Sequence, residues 1–428
     1  MRIVIIGGGV VGLCCAREIA RCGGEVTLVE KNCCGGATSL RNAGQIVPSL
    51  CTPLASPGVM KQALRWLVRR DSPLGLRVSP DPEYLGWLLR FALNASEEKF
   101  RECLKAALAL GRDTHLLFEE LRKEGVEFEM HKKGMLFATL SEETLREDVE
   151  IYRKLERAGY EGQYEVLSGE EARRIEPSLS KRVVGGIFVK EERHVRPESL
   201  MRGLVADLRS RGVQILEGTE VYGLKKGEGG TWRVLTPEGE LDADRVLVAA
   251  GVWSKELLAQ LGVRIPLEAG KGYSVTSVGT GTPPERPLKF AEAQVVATPY
   301  EGGVRISGRF ELSGIDLSLQ RRKIDSIIRA ASPYLRDWRP EKPRLEWVGL
   351  RPATPDSLPL IGKVPNLPNL YLATGHGMLG LTHAPATAKA ITPLILEERM
   401  APELKPFNVG RISYNEIESM LARKISPC

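Results

Sequence analysis

The chain has 428 residues, of which 43% are hydrophobic and 27% charged. That is ordinary for a globular protein and long enough for roughly two or three domains with sizeable cores. The net charge of +6 is mild and spread along the chain, so it leaves no footprint for nucleic acid. No run of about 18 apolar residues occurs, and no transmembrane helix is expected. The first β run begins at residue 2, which predicts no signal peptide and a cytoplasmic location.

The N-terminus carries the first motif. Arg2–Ile6 is a short apolar β run, and Gly7-Gly8-Gly9-Val10-Val11-Gly12 follows as a G-x-G-x-x-G. A helical stretch leads to a second apolar run, Val26–Val29, which ends on Glu30 and Lys31. Gly7 allows the tight strand-to-helix turn, Gly9 lets backbone approach a pyrophosphate, and Gly12 lets the helix pack on the sheet. Val10 and Val11 open the helix, whose free N–H groups and positive dipole end suit phosphates. A carboxylate at Glu30 can accept from ribose hydroxyls. A lone glycine motif is weak evidence; strand, helix, strand and acid in register make this a dinucleotide site.

The cysteines are uneven. Cys14, Cys15, Cys22, Cys33, Cys34, Cys51 and Cys103 lie early, and Cys428 is last. There is no C-x-x-C, so no metal site is expected and the thiols read as small buried hydrophobes. No cysteine lies between residues 104 and 427, which excludes a thioether-linked cofactor from that half.

Residues 58–70 read as an amphipathic helix, with Lys61, Arg65, Arg69 and Arg70 against Trp66, Leu67 and other apolar residues. Such a helix can lie on an anionic membrane surface, or simply pack with a solvated face. Helices follow around Trp87 and through 97–124. Val126–Glu129 and Gly134–Thr139 look like a strand pair. A helix at 142–158 precedes Ser168, a candidate N-cap. Pro197–Arg211 is helical; 213–216, 220–224, 232–236 and 245–249 are strand-like. Segment 270–311 alternates strands and turns, 318–331 is helical, and Leu370–Ala373 is a buried strand.

Three later blocks carry further chemistry. Asp244–Ser254 is an apolar strand ending in Ala250-Gly251, suited to pass the dinucleotide a second time. Thr374-Gly375-His376-Gly377-Met378-Leu379-Gly380-Leu381-Thr382 follows a strand and precedes a small-residue helix, expected from about Ala384. Backbone N–H groups converging there suit an anion, such as a flavin edge that gains charge on reduction. His376 either hydrogen-bonds that ring or only fills the turn. In Gly349–Gly362, Arg351 stands between Leu350 and Pro352 on a stiff backbone, and its planar fork of donors suits a carboxylate bidentately.

Together these blocks resemble the D-amino acid oxidase and glycine oxidase superfamily of FAD enzymes, and most of all the bacterial D-amino acid dehydrogenases. Ala37–Ile46 is similar to that group's loop over the flavin, Ser56-Pro57-Gly58 and the Trp66 helix to its helical insert, and Lys271–Thr276 to its K-G-Y-S motif. The resemblance implies an α/β fold: a discontinuous Rossmann-like FAD-binding domain (1–55, 168–258 and 342–428) and a mixed α+β substrate domain (56–167 and 259–341). It implies non-covalent FAD, with Gly7, Gly9, Gly12 and Glu30 at the ADP half and Val221 at the adenine. Thr38, Ser39, Ala43, Gly44 and Gln45 would line the pyrophosphate and ring. Ala250, Gly251, Gly375 and Gly377–Thr382 would complete the flavin site. Arg351 would clamp the substrate carboxylate and Tyr273 would border the substrate.

Two departures leave the substrate open: Arg309 where the family usually has a small residue, and His194-Val195-Arg196-Pro197, nearer the glycine oxidase pattern. The reaction implied is oxidation of a D-amino acid, or a small secondary amine acid such as D-proline, by hydride transfer to flavin N5. A quinone, a partner subunit or oxygen would take the electrons, and a peripheral membrane contact through the basic helix belongs to the quinone reading. An accessory FAD-binding subunit and a NAD-linked dehydrogenase are the other classes this sequence admits.

Overall fold

The computed structural model describes residues 1–58, 74–77, 79–342 and 344–412. The basic amphipathic stretch at 58–70 lies outside the described residues from residue 59 onward, as does Cys428.

Arg2–Ile6 is the third strand of a six-stranded sheet ordered Gln214–Leu216, Glu25–Val29, Arg2–Ile6, Arg245–Val248, Leu370–Thr374, Leu360–Lys363. The first five run parallel and the last returns antiparallel. Both faces are covered, which is why these strands read as unbroken apolar runs. On one face Ile3 and Ile5 meet Leu13 and Ile19 of helix Val10–Arg21 and Ile391 of helix Gly380–Glu397. On the other, Val4, Val246 and Val248 meet Trp232 and Val234. Those two belong to an antiparallel meander, Gly223–Lys226, Trp232–Thr236 and Gly239–Ala243.

The larger sheet has nine strands. Its path runs Leu345–Ala353, Glu268–Ser277, Gly303–Leu312, Val295–Tyr300, Leu288–Phe290, Met135–Thr139, Gly185–Val189, Tyr164–Ser168, with Leu74–Leu76 beside Gly303–Leu312. Helix Arg321–Ala331 buries Ile324 and Ile327 against Val275, Val295 and Ile306 on one face. The result is the expected α/β architecture. By pairing, Gly185–Val189 and Leu345–Ala353 belong to the nine-stranded sheet, although each sits in sequence among segments that feed the parallel one.

Several local readings hold. Ser168 caps helix Gly169–Ile175: its Oγ accepts from Glu171 N at 3.3 Å, and Glu171 Oε2 accepts from Ser168 N at 2.8 Å. The expected hairpin of 126–129 and 134–139 does not form. Strands arise at Met130–His131 and Met135–Thr139, but the first pairs Arg193–Val195 and the second pairs Gly185–Val189 and Leu288–Phe290. Adjacency in sequence favoured a hairpin, whereas burial of Leu136 and Ala138 against Phe290 and Tyr334 selects distant partners. The strand expected at 220–224 lies at Gly223–Lys226, and the C-terminal helix starts at Gly380 rather than Ala384.

Candidate active site

A cavity of about 890 Å³ is lined by residues of both sheets. At its nucleotide end, Gly7 adopts φ +111°, and a Cβ there would lie 2.6 Å from the Ala249 carbonyl oxygen. Only glycine fits such a turn. Gly12 does not line the cavity; a Cβ on it would sit 1.9 Å from the Gly7 carbonyl oxygen, so it seats the helix against the turn. Gly9, Val10 and Val11 form the wall at the helix start, where no acidic residue occupies the first turn. Glu30 also lines the cavity, and its carboxylate accepts from Gly8 N at 2.7 Å and Asn32 N at 2.9 Å. Lys31 and Val221 border the same end, with Lys31 Nζ 2.6 Å from Glu220 Oε1.

The loop 37–45 is held over the middle of the cavity. Ser39 Oγ accepts from Val10 N at 3.0 Å. Thr38 Oγ1 donates to the Leu350 carbonyl at 2.8 Å and accepts from Leu350 N at 3.0 Å, which ties the loop to the strand bearing Arg351. Tyr300 donates to the Ala43 carbonyl at 2.6 Å, and Gln45 Nε2 donates to Thr298 Oγ1 at 3.2 Å. Gly44 has φ +68°, and a Cβ on it would lie 2.2 Å from the Val195 carbonyl oxygen. Opposite the loop, Ala250 and Gly251 line the wall, and Thr374 Oγ1 fixes the Gly251 carbonyl at 2.8 Å.

The C-terminal glycine turn completes this part. Gly377, Met378, Leu379, Gly380 and Leu381 line the cavity where helix Gly380–Glu397 begins without an acid or a side-chain cap. Its N–H groups and positive end are therefore available to an electron-rich acceptor. Gly375 and Thr382 shape the turn without lining the cavity: Gly375 has φ +79°, and Thr382 Oγ1 accepts from Val47 N at 3.2 Å. His376 lines the wall, but its Nε2 is engaged by Thr387 Oγ1 at 2.9 Å. Burial pushes its pKa down to about 3, so the ring is neutral at physiological pH.

Burial similarly lowers the pKa of His194 to about 3 and of His383 to about 4. In an unfolded chain each would titrate near 6.5. Below about pH 6.5 the unfolded state therefore takes up protons that the folded state refuses, and stability present above that pH is lost as it falls towards 3–4. The drop in Tm from pH 7 to pH 5 is expected to be smaller for His376→Gln than for the parent. An unchanged drop would remove His376 from this linkage.

The other end is built by the nine-stranded sheet. Arg351 lies on strand Leu345–Ala353, paired with Gly270, and its side chain reaches along the neighbouring strand so that a Cβ on Gly272 would sit 2.1 Å from its Nη1. The glycine of the K-G-Y-S motif thus makes the space that the guanidinium fills. Arg351 Nη1 donates to the Arg309 carbonyl at 3.0 Å, and the Phe310 ring centroid is 5.9 Å from its Cζ. No carboxylate of the described residues lies within ion-pair distance of Arg351. Desolvation lowers its pKa to about 10, leaving a charged fork facing the cavity. Tyr273 also lines this end, but its hydroxyl donates to Glu311 Oε2 at 3.2 Å. Arg309 lines the cavity at φ +70°, and its Nε donates to Ser326 Oγ at 3.1 Å. Sequence reasoning missed Phe310, Trp347, Ser307 and Lys289, which also line this end. Their signal is weak, since the face that each strand turns to the cavity depends on its pairing with strands distant in sequence.

A parallel sheet with a glycine-rich turn and an acid at the next strand's tip, facing an antiparallel sheet across a long cavity, defines a dinucleotide-dependent oxidoreductase. The chain belongs to the FAD dependent oxidoreductase family, whose model matches residues 2–394. It is 31% identical over 405 residues to D-amino acid dehydrogenase of Vibrio atlanticus (strain LGP32), covering 92% of this chain and 96% of that protein. Identity to D-amino acid dehydrogenase of Rhizobium rhizogenes is 31% over 422 residues, covering 96% and 100%. In fold it is similar to glycine oxidase from Geobacillus kaustophilus, at a TM-score of 0.75 and 22% identity over 96% of this chain and 99% of that one. L-proline dehydrogenase from P. horikoshii superposes at 0.72 and 21% identity, covering 96% and 97%. The acid-free helix starts and glycine-only approaches described above fit FAD.

Proposed function

We propose that the chain is an FAD-dependent D-amino acid dehydrogenase, oxidising a D-amino acid, or a small secondary amine acid such as D-proline, to the imino acid. The observation that carries this reading is Arg351: a charged guanidinium on the cavity wall, with no carboxylate of its own among the described residues. On this reading Gly7, Gly9, Gly12 and Glu30 serve the ADP half of the cofactor. The loop 37–45, Ala250, Gly251 and the turn at Gly377–Leu381 serve the pyrophosphate and ring. Bound FAD supplies the two-electron acceptor for the substrate Cα hydride. The chain supplies orientation: Arg351 fixes the substrate carboxylate, and Tyr273 and Phe310 shape the pocket. The Tyr273 hydroxyl, its pKa raised by burial and by Glu311, stays protonated.

Anaerobic mixing with D- and L-amino acids tests the reading. D-amino acids are expected to bleach the flavin absorbance and L-amino acids to leave it; bleaching by neither would overturn it. A quinone or another carrier is the proposed electron acceptor, because the relatives named above are dehydrogenases. Faster turnover with a quinone analogue than with air is then expected. Stoichiometric peroxide at the faster rate would instead favour the glycine oxidase type of reaction. The membrane contact drawn from residues 58–70 is retained only as part of the quinone reading. Among the described residues no helix is long and apolar enough to cross a membrane.

Cofactor attachment gives a further expectation. The described cysteines are all free, and burial pushes the thiols of Cys14, Cys51 and Cys103 up to about 12. None of the cysteines at positions 14, 15, 22, 33, 34, 51 or 103 is among the residues lining the cavity. Acid or heat precipitation should leave the yellow colour in the supernatant; flavin that sediments with the protein would contradict this.

A further inference from the structure

The nine-stranded sheet brings a further cation to the cavity besides Arg351 and Arg309. Strand register sets Trp347, Ser274, Ser307, Val296 and Lys289 in one cross-strand row. All five line the same cavity as Arg351. Beyond Lys289 the row continues to Phe137, whose ring centroid lies 5.6 Å from Lys289 Nζ. Among the described residues this ammonium has no hydrogen-bond or ion-pair partner. Asp148 is the acid that acts on it, from beyond ion-pair distance. Desolvation dominates there and lowers the lysine's pKa, while it raises that of Asp148 to about 6.

A lysine on a strand normally carries its head to water along its own stem. Here the head is placed on the wall of a cavity between Val296 and Phe137, an environment that disfavours the charge until an anion meets it. The cofactor does not answer this need. The site suited to its pyrophosphate is the helix start at Gly9 and Val10, on the other sheet. Arg351, at the other side of the same face, is suited to one carboxylate. Beside Arg309, which is hydrogen-bonded to Ser326, the wall thus holds two further cations, Arg351 and Lys289, neither in ion-pair contact with a carboxylate of the described residues, and this calls for a ligand with two anionic ends.

We infer that Lys289 receives the distal carboxylate of an acidic substrate, so that the site selects D-amino acids bearing a second carboxylate on the side chain. This rests on the reading of the site given under Proposed function, and Lys289 is then a specificity residue for that reaction.

The test begins with binding to the FAD-loaded enzyme. Dicarboxylates from malonate to adipate and length-matched monocarboxylates are titrated while the visible flavin spectrum is followed. A diacid of one length is expected to bind roughly tenfold to a hundredfold tighter than its monoacid, the range of a charge-assisted hydrogen bond. Lys289→Met should abolish that preference while leaving monoacid binding and flavin content as they are, and Lys289→Arg should keep most of it. In turnover, the kcat/KM ratios of D-glutamate to D-glutamine and of D-aspartate to D-asparagine should collapse in Lys289→Met. Absence of any diacid preference in the parent enzyme would overturn the inference, and that measurement needs no variant to fold. So would an unchanged preference in Lys289→Met, or loss of flavin from it, which would assign the lysine to the cofactor. If no D-amino acid, acidic or neutral, bleaches the flavin, the D-amino acid reading fails, while the dicarboxylate titration still decides the role of Lys289.

Discussion

Arg351→Lys should raise the KM for a D-amino acid at least tenfold while the protein keeps its full complement of FAD. The parent guanidinium fills the space left by Gly272, is braced by the Arg309 carbonyl at 3.0 Å, and lies against the Phe310 ring. That seat fixes a planar fork towards the cavity. Lysine brings one ammonium on a flexible stem and cannot reproduce two parallel hydrogen bonds. Loss of a charge-assisted bidentate contact costs about 1.5–3 kcal/mol, which corresponds to a tenfold to hundredfold weaker grip. The hydrogen bond and the ring contact that seat the guanidinium are to Arg309 and Phe310 of the nine-stranded sheet, so flavin content is the internal control. Steady-state kinetics with flavin quantified in the same sample makes the measurement. Kinetics indistinguishable from the parent would remove Arg351 from the substrate site.

The second large effect is on the cofactor. Gly12→Ala should yield protein with little or no bound flavin and a lower Tm. The added Cβ would meet the Gly7 carbonyl oxygen at 1.9 Å, and that atom is backbone within a turn already confined by φ +111° at Gly7. No rotamer relieves the clash, so the helix start must move away from the sheet. Overpacking of this kind typically costs about 1–3 kcal/mol. It also displaces the Gly9–Val11 wall, which is the part suited to the pyrophosphate. The ratio of flavin to protein absorbance, read beside thermal unfolding, decides it. A fully loaded variant would mean that this turn does not govern binding.

The nucleotide end was legible in the sequence because its determinants are local. Gly7, Gly9, Gly12 and Glu30 fall within one strand–helix–strand unit, whose spacing can be read locally even though the atoms crowding Gly7 belong to the distant Ala249 and Ala250. Gly12 against Gly7 is the clearest case. Arg351 was legible for a related reason: Leu350 and Pro352 stiffen its own strand, and the motif needs no distant partner to be seen. The same holds for the Ser168 cap, where Glu171 returns the hydrogen bond one turn later.

Only the tertiary structure decided the rest. Val126–Glu129 and Gly134–Thr139 look like a hairpin because apolar runs close in sequence usually pair, yet Met135–Thr139 pairs with Gly185–Val189 and Leu288–Phe290. Gly272 reads as one residue of a motif until the guanidinium of Arg351, from the neighbouring strand, is laid over it. Lys289 reads as an ordinary solvated lysine on a three-residue strand. Its strand is placed between Met135–Thr139 and Val295–Tyr300, and the alternation of side chains in that register turns it onto the cavity wall. Local steric rules can be read from the chain one turn at a time. The face a short strand presents is settled by partners far away in sequence, and so the nucleotide site was visible from the residues while the place of Lys289 was not.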